Sequence, residues 1–117
     1  MKSVVPAPHR AILRTIAAIP RGCVACYGEI AARAGVPRGA RLVGRVLREA
    51  DPALDLPWQR VLRADGRIAF PSGSRAHREQ CRRLRAEGVV VVHGRVDLAR
   101  FGWQRNLDRE LWSLPHA

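Results

Sequence analysis

Several things are scarce in this chain, and each scarcity closes off a class of protein. Cysteine occurs three times, as Cys23, Cys26 and Cys81. An odd number does not make a disulfide framework. Cys23 and Cys26 form a C-x-x-C, but no second pair or neighbouring histidine completes a zinc tetrad. His9, His77, His93 and His116 are scattered. The reading is of reduced thiols in a reducing compartment, with no metal and no other cofactor. Long apolar runs are missing too: the valine run 89–92 is far short of the roughly 20 residues that cross a bilayer. The first eight residues hold no apolar segment of the kind a secretory signal needs, so a cytoplasmic, nucleoid-associated protein is expected. Acidic side chains are few, at 10 Asp+Glu, and Lys2 is the single lysine.

Arginine is what the sequence has instead. Lys+Arg total 21, for a net charge of +11. Arginine presents a planar fork of donors that can clamp a phosphate with two hydrogen bonds. A small, strongly basic chain points to a polyanion, nucleic acid first. A coding bias towards arginine accounts for part of the same count. The 117 residues suit one compact domain, 1–117, and 47% hydrophobic residues can furnish a core. No repeat, linker or dimerisation seam is visible, so a monomer is expected.

Local patterns divide the chain into short elements. Ile12, Ile16 and Ile19 share one face of a helix over 8–19, stopped by Pro20 and Gly22. An extended piece over 23–26 leads into a helix over 27–34, closed by Gly35 in the left-handed position that ends many helices. Val36-Pro37 turns the chain into a helix over 38–50. Helix, glycine-containing turn and helix have the proportions of a helix-turn-helix. On the second helix Arg38, Arg41, Arg45 and Arg48 are spaced to share a face, with Leu42, Val43, Val46 and Leu47 opposite. Gly39, Ala40 and Gly44 are small enough to let a partner approach the backbone. A solvated arginine face on a surface helix would look the same. Further on, 60–62 and 67–70 are predicted to form a hairpin around Asp65-Gly66, and 89–92 and 95–98 a second one across His93-Gly94. A helix over 76–87 lies between them. The fold class expected is mainly α with short β hairpins, a winged helix-turn-helix DNA-binding domain. Beyond Trp103 the large residues Leu107, Leu111 and Trp112 are expected to pack back on the body.

Three segments in fixed order carry a resemblance. They are Ile19-Pro20-Arg21-Gly22-Cys23-Val24-Ala25-Cys26-Tyr27-Gly28-Glu29-Ile30-Ala31, then Gly35-Val36-Pro37-Arg38-Gly39-Ala40-Arg41-Leu42-Val43-Gly44, then Leu56-Pro57-Trp58-Gln59-Arg60-Val61 followed by Asp65-Gly66. Together, over about residues 8–103, they resemble the DNA-binding domain of O6-alkylguanine-DNA alkyltransferases. Those enzymes carry Pro-Cys-His-Arg-Val in the third segment, and their cysteine accepts the alkyl group. Here Trp58 stands in the cysteine's place, as in the alkyltransferase-like proteins, which by resemblance bind alkylated guanine without repairing it and hand it to nucleotide excision repair.

The resemblance implies roles by position. Tyr27 matches the tyrosine that helps rotate the damaged nucleotide. Arg41 matches the arginine that fills the vacated space, and Trp58 the pocket tryptophan. Pro57, Gln59 and Arg60 belong to the same pocket segment. Glu87 matches the glutamate that helps activate the cysteine in true transferases, so here a structural role is expected. Two positions depart from the pattern. Gln59 stands where most relatives have histidine or an aromatic. Pro71 aligns with the relatives' pocket arginine, and Arg75, a few positions on, is the candidate substitute. The partner expected is double-stranded DNA containing alkylated guanine, with nucleotide excision repair proteins next. Plainer readings exist: Trp58 as a core aromatic, Tyr27 as a packing residue, Arg41 as a solvated charge. At the level of function the alternatives are an active methylated-DNA–protein-cysteine methyltransferase, which needs a thiol in the pocket, and a winged-helix transcription regulator, which needs a sequence preference.

Overall fold

The computed structural model describes residues 5–103. The chain opens with helix α1, Ala7–Ala17, which buries Ile12 and Ile16 and delivers Ile19 to the same core from the turn that follows. Strand β1, Ala25–Cys26, runs directly into α2, Tyr27–Arg33. Helix α3, Ala40–Glu49, comes next. The turn between α2 and α3 is tight because a side chain at Gly39 has no room: an added Cβ would lie 2.7 Å from the Val36 carbonyl oxygen. The turn's own packing is thus reason enough for a glycine at position 39.

Two 3-10 turns follow, Pro52–Leu54 and Trp58–Arg60, the second leading into β2, Val61–Leu62. Helix α4, Arg75–Ala86, starts at Ser74, whose Oγ accepts from the His77 N–H. Strands β3, Val91–Val92, and β4, Arg95–Val96, form an antiparallel pair. His93 and Gly94 between them both take positive φ, as a two-residue hairpin turn demands. This pair is the wing. A short helix α5, Leu98–Phe101, follows.

The second expected hairpin is present, shortened to two residues per arm. The first is not. Val61 and Leu62 pair in parallel with Ala25 and Cys26 of β1 instead of antiparallel with 67–70. The Asp65-Gly66 turn itself forms, with the Arg63 N–H donating to the Arg67 carbonyl, but Arg67 then bridges to Arg95 and the Ile68 N–H donates to the Gly94 carbonyl. The arm beyond the turn thus joins the wing. Gly66 allows this crossing: its φ is +84 and an added Cβ would meet the Val96 carbonyl oxygen at 2.4 Å.

The β1–β2 ladder divides two cores. Ala25 and Val61 pack with Ile12, Ile16, Ile30, Val43 and Val46 beneath the first three helices. Their neighbours Val24 and Leu62 face the other way, into Ile68, Leu84, Val89, Val91 and Val96. Alternation along a strand sends successive residues to opposite faces, so two strand residues can join two cores. The Trp103 backbone N–H donates to the Val24 carbonyl, and the Arg33 guanidinium lies 3.8 Å from the centre of the Trp103 ring. Leu107, Leu111 and Trp112 lie outside the described residues. No described helix is long and apolar enough to cross a membrane.

Candidate nucleic-acid interface

Helices α2 and α3 form the helix-turn-helix pair, and α3 turns its charged side outward. Arg41, Arg45 and Arg48 are exposed on it, while Val43 and Val46 are buried and Leu42 and Leu47 half-buried beneath. Arg38 is not on this face. It precedes the helix in a left-handed conformation, φ 62, because α3 begins at Ala40, with Gly39 as its N-cap. Arg45 spends part of its charge on Glu49 at 3.5 Å. Arg48 reaches back over Gly44 towards Tyr27. An added Cβ at Gly44 would find Arg48 Nη1 at 3.4 Å and Tyr27 Cε1 at 3.7 Å. Burial pushes the Tyr27 hydroxyl's pKa up, and the Arg48 charge only partly offsets this, so Tyr27 is a neutral phenol able to donate.

Beside this helix pair lies an open cleft of about 750 Å³ lined on one side by Tyr27, Gly44, Leu47 and Arg48 and on the other by Trp58, Phe70 and Arg75. Its volume falls within the roughly 300–1,000 Å³ of sites that hold small organic groups. Trp58 begins the second 3-10 turn. Pro57, at φ −77 and ψ 61, makes an inverse γ-turn that closes with the Trp58 N–H on the Leu56 carbonyl at 2.8 Å. The Trp58 ring meets the edge of Phe70 with centroids 6.0 Å apart at 86°, and the Arg83 guanidinium stands 5.2 Å from its centre. Arg83 is held in turn by Glu79, whose carboxyl is drawn down to about 2 by hydrogen bonds from Arg82 and Arg83.

The 3-10 turn is fastened from behind by Glu87, whose side chain is 5% exposed. Oε1 accepts from the Gly22 N–H at 2.8 Å and Arg60 Nε at 2.9 Å, and Oε2 accepts from Gln59 Nε2 at 2.8 Å. Arg60 Nη1 also donates to the Ile19 carbonyl at 2.7 Å. Burial alone would push the Glu87 carboxyl up, but the bonds from Arg60, Gly22 and Gln59, with the Arg60 charge, outweigh it and hold it below its ordinary value. Glu87 is thus an ionised clasp between the loop after α1, the 3-10 turn and the end of α4.

The expected site residues therefore separate into three groups. Tyr27, Gly44, Arg48, Trp58 and Arg75 come together on the cleft. Gln59 is buried and Arg60 half-buried behind it in the Glu87 clasp, with Pro57 shaping the turn. Arg41 and Arg45 are exposed on α3 outside the lining, and Arg38 stands before it. The sequence reading missed Leu47, Val61, Ala69, Phe70, Ala76, Glu79 and Gln80 as lining. Gln80 left one trace: with Ala76 and Leu84 it falls on one helical stripe, where an amide is out of place. None of the three cysteines lines the cleft. Burial, with the charges of Glu29 and Asp65, raises the Cys26 pKa and so keeps it a thiol. A second cleft of about 720 Å³ lies between the wing and α5 and contains none of the expected residues. No group of three or more potential metal ligands occurs among the described residues.

Residues 7–89 match the family profile described as 6-O-methylguanine DNA methyltransferase, DNA binding domain. The chain belongs to this family. It is 41% identical over 97 residues to the DNA base-flipping protein of Escherichia coli, spanning 82% of this chain and 73% of that protein. It is 38% identical over 94 residues to alkyltransferase-like protein 1 of Schizosaccharomyces pombe, spanning 80% and 83%. Its fold superposes on the crystal structure of S. pombe Atl1 in complex with damaged DNA containing O6-carboxymethylguanine with a TM-score of 0.76 and 29% identity, covering 86% of this chain and 98% of that one.

Proposed function

We propose that this alkyltransferase-family domain is a non-enzymatic sensor of O6-alkylguanine, which it binds in duplex DNA by rotating the nucleotide out of the helix and directs to nucleotide excision repair. One observation carries the reading. Trp58, aligned with the transferases' reactive cysteine, stands on the wall of a cleft that has no cysteine in its lining. Indole carbon and nitrogen are not nucleophiles under these conditions, so position 58 can hold an alkylated base but not take its alkyl group. The similarity to a base-flipping protein and to a protein crystallised on damaged DNA supports the same reading.

The geometry supplies a division of labour. Extruding a base costs a few kcal/mol of stacking and pairing, least for a weakly paired base such as O6-alkylguanine. Arg41, projecting from α3 without an ion pair among the described residues, fills the gap left in the helix. Tyr27, at the junction of α2 with the cleft, turns the backbone at the rotated nucleotide. Trp58 and Phe70 offer apolar surface to base and alkyl group, a contact worth roughly 1–3 kcal/mol per stacked base. Arg48 and Arg75 bring positive charge to the cleft rim, where the phosphates of the distorted strand pass. A fluorescent 2-aminopurine placed opposite a single O6-methylguanine tests this directly. Its emission should rise on binding as the stack opens, the rise should fall at least about tenfold in apparent affinity with Trp58→Ala, and the protein's mass should be unchanged after incubation. A stoichiometric gain of one methyl group would overturn the reading.

A further inference from the structure

The Trp58 ring has little to fix it on its own. Phe70 is 42% exposed, and the Arg83 that faces the indole belongs to a surface ion pair with a 40% exposed side chain. Its place must come from the backbone of the 3-10 turn, and that backbone is held from α4 at two points. One is the Glu87 clasp. The other is Gln80, which is 2% exposed and donates both hydrogens of Nε2, to the Gln59 carbonyl and the Val61 carbonyl, each at 3.0 Å. Those two carbonyls flank Arg60, where the turn hands over to β2. The amide orientation follows from chemistry, since only its nitrogen can face two acceptors. Of the two fastenings only Gln80 also lines the cleft. An aliphatic residue on this core-facing stripe would avoid burying an amide, so the amide costs desolvation that its two bonds must offset.

We infer that Gln80 is a positioning residue for lesion recognition, fixing the carbonyls of Gln59 and Val61 so that the turn presents the Trp58 indole as the wall of the cleft. This rests on the reading of the cleft as the site of the extruded base. The test measures affinity for two otherwise identical duplexes, one with O6-methylguanine and one with guanine, well below the melting temperature of each protein. Gln80→Met keeps the length of the side chain and removes both donors. Gln80→Lys returns a donor on an unbranched stem. The expected result is that Gln80→Met lowers the ratio of the two affinities about tenfold, the loss falling on the lesion duplex because Gln80 is 2% exposed and offers no group to a phosphate, and that Gln80→Lys restores part of the ratio. A merely structural role would not move that ratio in folded protein. A folded Gln80→Met with the wild-type ratio overturns the inference. If Gln80→Met does not fold, a folded Gln80→Lys decides it: a ratio approaching wild type supports the inference, and a ratio near one overturns it. Wild-type protein showing no preference at all would instead sink the lesion-binding reading beneath it.

Discussion

The Glu87 clasp allows two substitutions at one position to be told apart in advance. Glu87→Ala strips three donors of their acceptor: the Gly22 N–H, Gln59 Nε2 and Arg60 Nε. Breaking a buried ion pair by removing one member costs about 3–5 kcal/mol. Arg60 is 16% exposed and keeps its bond to the Ile19 carbonyl, so the lower part of that range applies, about 3–4 kcal/mol. Glu87→Gln behaves differently. Its oxygen can still accept from Gly22 and Arg60, but its amide nitrogen would confront the Gln59 amide nitrogen. Gln59 resolves this by turning over, because its Oε1 is buried with no hydrogen-bond partner and can accept from the new donor. What is lost is mainly the charge on the Arg60 bond, about 1 kcal/mol. With an m-value near 2 kcal/mol per molar, urea denaturation should show midpoints lowered by about 1.5–2 M for Glu87→Ala and about 0.5 M for Glu87→Gln. Equal losses for the two variants, or a loss under about 1 kcal/mol for Glu87→Ala, would refute the account of the clasp.

Three further outcomes are expected. Glu87 has a depressed pKa in the folded chain, below its ordinary 4.5, so its contribution is complete above that pH and is lost as pH falls through the folded value; urea denaturation at neutral and acid pH should show a larger drop for wild type than for Glu87→Gln, the remainder reflecting groups such as Glu79. Gly44→Ala has room beside Arg48 and Tyr27 and gains about 0.5–1 kcal/mol of helix propensity, so it should melt higher yet bind DNA more weakly, because the added methyl stands between α3 and the groove; unchanged binding would place Gly44 outside the interface. Arg45→Ala should weaken binding to lesion and plain duplexes alike and reduce the slope of log affinity against log salt by about 1, whereas Arg41→Ala should weaken chiefly the lesion duplex, both read by titration over a salt series.

The helices were legible because each rests on a local rule. The isoleucine spacing of α1, the small turn before α3 and the Val43–Val46 side of α3 all act within a few residues. The strand pairing was not. Asp65-Gly66 is a strong turn signal and the turn does form, but Val61 and Leu62 are both buried. They therefore lack the in–out alternation of a half-exposed hairpin arm, and parallel pairing with β1 buries both faces at once. The clasp was half visible: the resemblance marked Glu87 for a structural role, yet Gly22, Gln59 and Arg60 as its partners depend on chain segments far apart in sequence. Arg38 was misplaced because helical spacing continues through it, while the Gly39 contact with Val36 starts the helix later. On the cleft, the aligned motifs named Tyr27, Gly44 and Trp58, the arginine spacing of the second helix named Arg48, and Arg75 was the candidate substitute for the pattern's pocket arginine, but Phe70 and Gln80 enter only through packing.

The most direct measurement of the central claim is a competition between two short duplexes of identical sequence, one with a single O6-methylguanine and one with guanine, at physiological salt with labelled DNA. The account predicts clear preference for the methylated duplex, abolished by Trp58→Ala while weak, salt-dependent binding to the plain duplex survives. Equal affinity for the two duplexes would contradict it and leave a basic helix-turn-helix domain that binds DNA without reading damage.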